Sequence, residues 1–285
     1  MVTGPTALRS GVRAARLRAR AATAPVRALP HFLVIGAQKA GTTSLYAYLS
    51  EHPDVLPAAR KEVHFFDLNY GQGERWYRSM FPLRAHLAAR SRSRSRPVVT
   101  GEASPYYLFH PMAAERAAAL VPDAKLVVLL RDPVERAWSH YRHEVAAGRE
   151  PLGFAAALDA EPGRLAGCTA ALRTGPAGHV ETEHRIHSYI SRGMYADQLR
   201  GWLEHYPRSQ LLVLVAEDLF GDPAPVWRRT VDFLGLVAPA PPAFAVHNPG
   251  PAEAMDPDVR ARMAAAFEEA NQDLENLLGL ELPWT

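Results

Sequence analysis

Residues 34–44 read VIGAQKAGTTS: two glycines, one lysine and three consecutive hydroxyl side chains. An apolar run, Phe32 to Ile35, leads into Gly36; Gly41 follows five positions later, and Thr42, Thr43 and Ser44 open a helical stretch. This is the outline of a loop that wraps a phosphate. Backbone N–H groups at a helix start, with the helix dipole behind them, favour an anion. Gly36 and Gly41 let the backbone come close, and the hydroxyls add donors. The triphosphate-binding pattern G-x-x-x-x-G-K-[ST] puts its lysine at position 42. Here that position is Thr42, and the lysine is Lys39. The loop is therefore either a degenerate ATP site or a seat for another phosphorylated ligand.

A second candidate is LLRDPVERAWSHYR, 129–142. Arg131 leaves a buried strand and Ser139 follows eight residues later in a helix. An arginine fork and a hydroxyl can grip a second phosphate; equally, Arg131 can pair with Asp132 or Glu135 as a structural ion pair. His179, His184 and His187 could suggest a metal, but no H-E-x-x-H or cysteine partner supports them, and no metal site is expected. Trp202, Tyr206 and Trp227 have the spacing of helix-core residues.

The elements that must position these residues alternate. Strands are expected at 31–36, at Val98 to Thr100, at 124–130 and within the run 210–219. Helices are expected at 42–50, 111–120, about 134–147, 194–205, 224–234 and 256–277. Apolar runs without alternation, such as AKLVVLL, are strands covered on both faces. Together they imply an α/β fold with a central parallel sheet flanked by helices. Ligands bind at the carboxyl ends of such strands, and Gly36, Gly101 and Arg131 all lie just beyond expected strand ends. ARSRSRSRP, 89–97, reads as a solvated loop; 150–190 is the least patterned region, a plain connection or a carrier of acceptor specificity.

The 285 residues, 48% hydrophobic, can bury one sizeable core. The net charge of +2 hides an asymmetry: residues 1–30 carry six arginines and no acid, leaving 26 basic against 30 acidic residues, about −4, in the remainder. A broad nucleic-acid-binding face is therefore not expected. Residues 1–30 lack the apolar core of a secretory signal and are expected to be a disordered tail, with an organelle transit peptide as the alternative; 31–285 are expected to form a single domain. The single cysteine, Cys168, excludes an intrachain disulfide and fits a reducing compartment. No apolar run approaches the ~20 residues that span a bilayer.

Five segments, IGAQKAGTTSLYAYLSEHP, KEVHFFD, GEASPYYLFHP, KLVVLLRDPVERAWSHY and SRGMYADQLRGW, stand in the order seen in sulfotransferases that use 3′-phosphoadenosine 5′-phosphosulfate (PAPS). The chain resembles the heparan-sulfate-type and related bacterial members over roughly residues 31–237. The resemblance implies a P-loop-kinase-like α/β domain without a metal requirement. It implies that Lys39, Ala40, Gly41, Thr42, Thr43 and Ser44 hold the 5′-phosphosulfate. Arg131 and Ser139 would bind the 3′-phosphate, with Arg192, Gly193 and Tyr195 forming a second motif on that side. A lysine at 39 would then serve a donor that has no β,γ-diphosphate to reach.

The resemblance further implies that Glu62 is the base and that His64 and Asp67 orient acceptor or base, His64 being an alternative base because its ordinary pKa lies near neutrality. One departure is Ala103, where heparan-type relatives commonly carry a lysine; Lys61 could supply that cation on the acceptor side. The missing cysteine pair of lumenal relatives points away from heparan as acceptor and towards a bacterial cytoplasmic enzyme. The expected activity is sulfuryl transfer from PAPS to a hydroxyl or amine of a carbohydrate or natural product. The alternatives are an ATP-dependent small-molecule kinase and a non-catalytic protein binding PAPS or its product, 3′-phosphoadenosine 5′-phosphate (PAP). No membrane partner is expected, and oligomeric state is left open.

Overall fold

The computed structural model describes residues 19–237, 244 and 254–285. Four strands, β1 (Phe32–Gly36), β2 (Gly101–Ala103), β3 (Lys125–Leu130) and β4 (Leu211–Val215), form one sheet in the order β2-β1-β3-β4. Every pairing is parallel, so all strand carboxyl ends share one rim. Helices cover the sheet: α1 (Thr42–Glu51), α2 (Gly73–Ser79), α3 (Arg84–Arg94), α4 (Ala113–Leu120), α5 (Pro133–Ala146), α6 (Phe154–Leu165), α7 (Cys168–Thr174), α8 (Thr182–Ile186), α9 (Tyr195–Leu203), α10 (Ala216–Gly221), α11 (Pro223–Leu234) and α12 (Pro257–Leu278). This is the expected α/β architecture.

The strands are buried throughout because helices close both faces: Phe32, Leu33, Val34 and Ile35 of β1 and Leu126 to Leu130 of β3 expose no surface. Each such side chain contributes about 1.5–3 kcal/mol on burial. Trp202, Tyr206 and Trp227 join this core, as their spacing suggested. Helix starts are written locally. Asp132-Pro133, Asp222-Pro223 and Asp256-Pro257 each place an aspartate cap before a proline, and each aspartate accepts amide hydrogen bonds from the first turn. α1 stops at His52, which the following Pro53 holds in extended backbone.

Several expectations need correcting. The second strand is Gly101–Ala103, not Val98–Thr100. Val99 instead bridges Val55, and Val98 packs with Ala28 and Leu87. Gly101 can pair beside β1 because any Cβ there would lie 2.5 Å from the Phe32 ring. The run 210–219 is cut at Val215, where Glu217 and Asp218 enter the first turn of α10. The Arg/Ser stretch is not a loop: α3 covers it to Arg94, and Arg94 and Arg96 pair with the fully buried Asp54 at 3.2 and 2.6 Å. The unpatterned region folds as α6, α7 and α8.

Residues 1–18 of the expected tail lie outside the described residues. Within 19–30, Arg20 and Arg27 donate to the carbonyl of Phe81 at 2.9 and 2.7 Å, and Ala24 is buried, so packed chain begins before residue 31. No helix among the described residues is long and apolar enough to cross a membrane.

Candidate active site

The loop after β1 turns through two left-handed residues, Lys39 at φ +72° and Gly41 at φ +91°. Gly41 is constrained twice, since a Cβ there would also lie 3.0 Å from the Phe220 ring. The amide of Ala37 donates to the Leu129 carbonyl and that of Ala40 turns inward to Ala37, which fixes the loop on β3. The amides of Gly41, Thr42 and Thr43 find no acceptor among the described residues. They are the open donors that a helix start presents. Ser44 faces elsewhere, its hydroxyl engaged with Tyr48. Thr43 accepts a hydrogen bond from the Lys61 ammonium.

Lys39 is half-buried, and its ammonium has no hydrogen-bond or ion-pair partner among the described residues. Burial, then the neighbouring Arg131, lower its pKa, and Glu144 and Glu62 oppose them in part. A cation that is partly desolvated, repelled by another cation and unpaired lacks an anion. Arg131 is joined to the same loop: its guanidinium donates to the Lys39 carbonyl at 3.1 Å and lies 3.6 Å from Glu135. The ion-pair reading of this arginine therefore holds, with Glu135 and not Asp132 as the partner. Ser139, half-buried, stands one turn beyond Glu135 on the same face of α5.

The SRG turn supports the rim from behind. Arg192 is buried, its guanidinium lying over Tyr106 and Phe109 at 4.9 and 5.0 Å. It donates to Gln38 of the loop and to the carbonyls of His184 and Arg185. Burial lowers its pKa to about 9. Gly193 lets this turn approach α5 and α12, since a Cβ would lie 2.7 Å from the Phe267 ring and 3.0 Å from Pro133. Tyr195 is buried and donates to the Arg131 carbonyl at 2.9 Å. Arg192 and Tyr195 thus meet the loop and Arg131 through the protein, and the buried Nε of Arg192 has no hydrogen-bond partner among the described residues.

The segment 61–67 faces the loop. Glu62 and His64 both adopt left-handed backbone, at φ +55° and +53°. Glu62 lies 3.3 Å from the Lys61 ammonium and 3.4 Å from His64 Nε2, while His64 Nδ1 lies 2.7 Å from Asp67, which is fully buried. Lys61 thereby links Thr43 of the loop to the carboxylate of Glu62. The hydrogen bond from His64 is the largest influence on Glu62; burial opposes it, Lys61 adds to it, and the pKa falls to about 2. For His64, burial disfavours the charge, yet the Asp67 and Glu62 carboxylates outweigh it and raise the pKa to about 10.

The two carboxylates thus favour the imidazolium form of His64, which has no lone pair with which to act as base. Its ring should stay protonated through pH 8 in a nitrogen-detected NMR titration. Because the folded pKa lies above the ordinary 6.5, the stabilisation is fully present below pH 6.5 and is lost as pH rises through about 10. A titration midpoint near 6.5 would contradict the ion triad.

Sequence reasoning missed two neighbours. Phe220 is 54% exposed, beside Gly41 and 5.8 Å from the Arg131 guanidinium, a position suited to stacking against an aromatic base. Only an exposed aromatic just after a strand end could have signalled it. Glu102, fully buried on β2, is the other. The three histidines do not converge: His179 pairs with Glu181, His187 with Glu183, and His184 with the Tyr106 hydroxyl. Cys168 is buried, its thiol on the Arg164 carbonyl.

Residues 29–246 match the model of the sulfotransferase domain family. Heparan sulfate glucosamine 3-O-sulfotransferase 3B1 of Mus musculus is 35% identical over 208 residues, 73% of this chain and 46% of that protein. Bifunctional heparan sulfate N-deacetylase/N-sulfotransferase 3 of Homo sapiens is 33% identical over 215 residues, 73% of this chain and 22% of that protein. The chain thus spans about half the length, or less, of these curated relatives. The crystal structure of a sulfotransferase from Alicyclobacillus acidocaldarius superposes with a TM-score of 0.69 at 31% identity, over 90% of this chain and 99% of that one.

Proposed function

The chain belongs to the sulfotransferase family, and we propose that it moves the sulfuryl group of PAPS to a hydroxyl, or alternatively an amine, of a carbohydrate or natural-product acceptor. The observation that carries this reading is the Lys39 ammonium, without a partner among the described residues, on a loop whose amides are likewise open, with Arg131 docked on the same loop. These residues fit a donor that is anionic at two ends. Lys39 and the amides of Gly41, Thr42 and Thr43 hold the 5′ end, while Arg131 and Ser139 hold the 3′-phosphate. Tyr195 fixes Arg131, Gly193 lets the turn that carries it close on α5, and Arg192 steadies the loop through Gln38. The heparan-type acceptors named for the relatives make an acidic sugar one candidate acceptor.

When bound, the donor supplies a sulfuryl group activated by its anhydride with phosphate. The Glu62 carboxylate takes the proton of the attacking hydroxyl. At rest, Lys61 and His64 keep it ionised and make it a poor proton acceptor; any move of the Lys61 ammonium off Glu62 raises its basicity. Lys39 and Lys61 stand where negative charge develops on the loop side, and fixed cations there stabilise it without reorganisation. Lys61 occupies the role left open by Ala103.

The test is transfer of label from sulfur-35 PAPS to a panel of desulfated heparan oligosaccharides, simple sugars and phenols. Transfer should be equal in magnesium and in EDTA. Magnesium-dependent phosphoryl transfer from ATP, with none from PAPS, would overturn the reading in favour of a kinase; PAP binding without any transfer would favour a binding protein. Arg131→Ala should weaken PAP by about 10–100-fold, as for loss of hydrogen bonds to a charged group, and leave 5′-AMP nearly unchanged, by calorimetry. Equal weakening of both would remove Arg131 from the 3′-phosphate.

A further inference from the structure

β2 carries a carboxylate that the chemistry above does not use. Glu102 is fully buried. Its Oε1 accepts hydrogen bonds from the hydroxyls of Tyr77 and Tyr107 at 2.7 and 2.9 Å, and its Oε2 from Ser104 at 2.7 Å. No lysine or arginine among the described residues pairs with it. Burial pushes its pKa up, and the three hydroxyls pull it back.

Two of those hydroxyls have a second duty. Tyr107 receives the amide of Phe65 at 2.7 Å, and Ser104 receives the amide of His64 at 2.9 Å. A hydroxyl has one proton. Given to the carboxylate, that proton leaves the lone pairs facing the segment that carries Glu62 and His64. The direction of each chain is fixed: amide to hydroxyl, hydroxyl to carboxylate. The segment needs such holding, because Glu62 and His64 both stand in left-handed backbone that L residues rarely adopt. Among the described residues its backbone hydrogen bond to the sheet is the Glu62 amide on the Ala103 carbonyl at 3.1 Å, one residue beyond Glu102.

We propose that Glu102 is a positioning residue: through Tyr107 and Ser104 its carboxylate orients the amides of Phe65 and His64, and so sets where Glu62 and His64 stand. Its value to turnover rests on the reading of Glu62 as the base; its effect on the segment does not.

Glu102→Gln keeps the shape but puts an NH2 where a hydroxyl proton points, so one hydroxyl must turn away and release its amide. In NMR hydrogen exchange on the full chain, the amide of Phe65 or that of His64, according to whether the NH2 faces Tyr107 or Ser104, should exchange at least about tenfold faster. PAP affinity and the amides of the Lys39 loop should stay within about twofold, since the loop is tied to β3 rather than to Glu102. Tyr107→Phe should release Phe65 and spare His64, and it serves as the readout if Glu102→Gln fails to fold. Unchanged exchange at both amides, or loss of protection spread evenly through the sheet, would overturn the proposal. With sulfur-35 PAPS and an acceptor taken up by the wild type, Glu102→Gln should lower kcat about tenfold at unchanged KM for PAPS. An unchanged kcat beside an inactive Glu62→Gln would also overturn it. Full activity of Glu62→Gln would sink the base assignment and leave the exchange result standing.

Discussion

Lys39→Ala should lower turnover by about 10²–10³-fold, the size of effect seen when one preorganised donor is removed from developing charge. The expectation follows from what Lys39 lacks. Its ammonium is half-buried, next to Arg131, and has no carboxylate partner among the described residues. No ion pair is lost in the resting protein, so removing it should relieve repulsion and leave the melting temperature unchanged or slightly raised. The backbone cost is unchanged as well, because lysine and alanine meet the same strain at φ +72°. Affinity for PAP should fall far less than kcat does, since the amides of Gly41, Thr42 and Thr43 and the Arg131 fork remain. Steady-state rates with labelled PAPS, beside calorimetry with PAP, separate the two quantities. Equal loss in kcat and affinity would make Lys39 a binding group only.

Glu62→Gln should cost about 10²–10⁴-fold in kcat, the contribution of a positioned general base. Glutamine fills the same space and can still meet Lys61 and His64, yet it cannot take a proton at neutral pH. The side chain is 41% exposed, so its ion pairs are screened and the change in stability should be small. Donor affinity should stay within a few-fold because, among the described residues, Glu62 is bonded to the loop through Lys61 and Thr43, and its charge is the smallest of the influences on Lys39. A linked effect follows: with one carboxylate gone, the His64 pKa should drop from about 10 towards the value set by Asp67 alone. Retention of the full rate on a genuine acceptor would remove Glu62 from the base role. His64 could inherit that role only in a variant where its ring had lost its proton.

The parts of this molecule that could be read from its sequence are those where one short segment contains its own explanation. β1, β3 and the core of β4 are continuous apolar runs, and Gly36, Arg131 and the Asp-Pro pairs punctuate their ends and the helix starts. Hence the rim and both candidate anion-binding segments were legible. β2 was misplaced by three residues because Val98 and Val99 are apolar for other reasons, a satellite cluster and a bridge to Val55. α3 was missed because RSRSR has no apolar stripe; only Leu87 is buried, and the ion pairs with Asp54 are long-range. The upward shift of the His64 pKa was equally hidden, since it depends on the placement of two carboxylates. So was the burial of Arg192 and its brace on Gln38. Glu102 is the plainest case: its partners lie at Tyr77, Ser104 and Tyr107, and its consequence at His64 and Phe65.

A crystal structure of the chain with PAP addresses the central claim most directly. One bisphosphate should lie along the strand-end rim. Its 5′-phosphate should meet the amides of Gly41 to Thr43 and the Lys39 ammonium, and its 3′-phosphate should meet Arg131 and the Ser139 hydroxyl. A ligand turned end for end, or one that leaves Lys39 or Arg131 without a phosphate, would contradict the two-ended seat on which the assignment of this site depends.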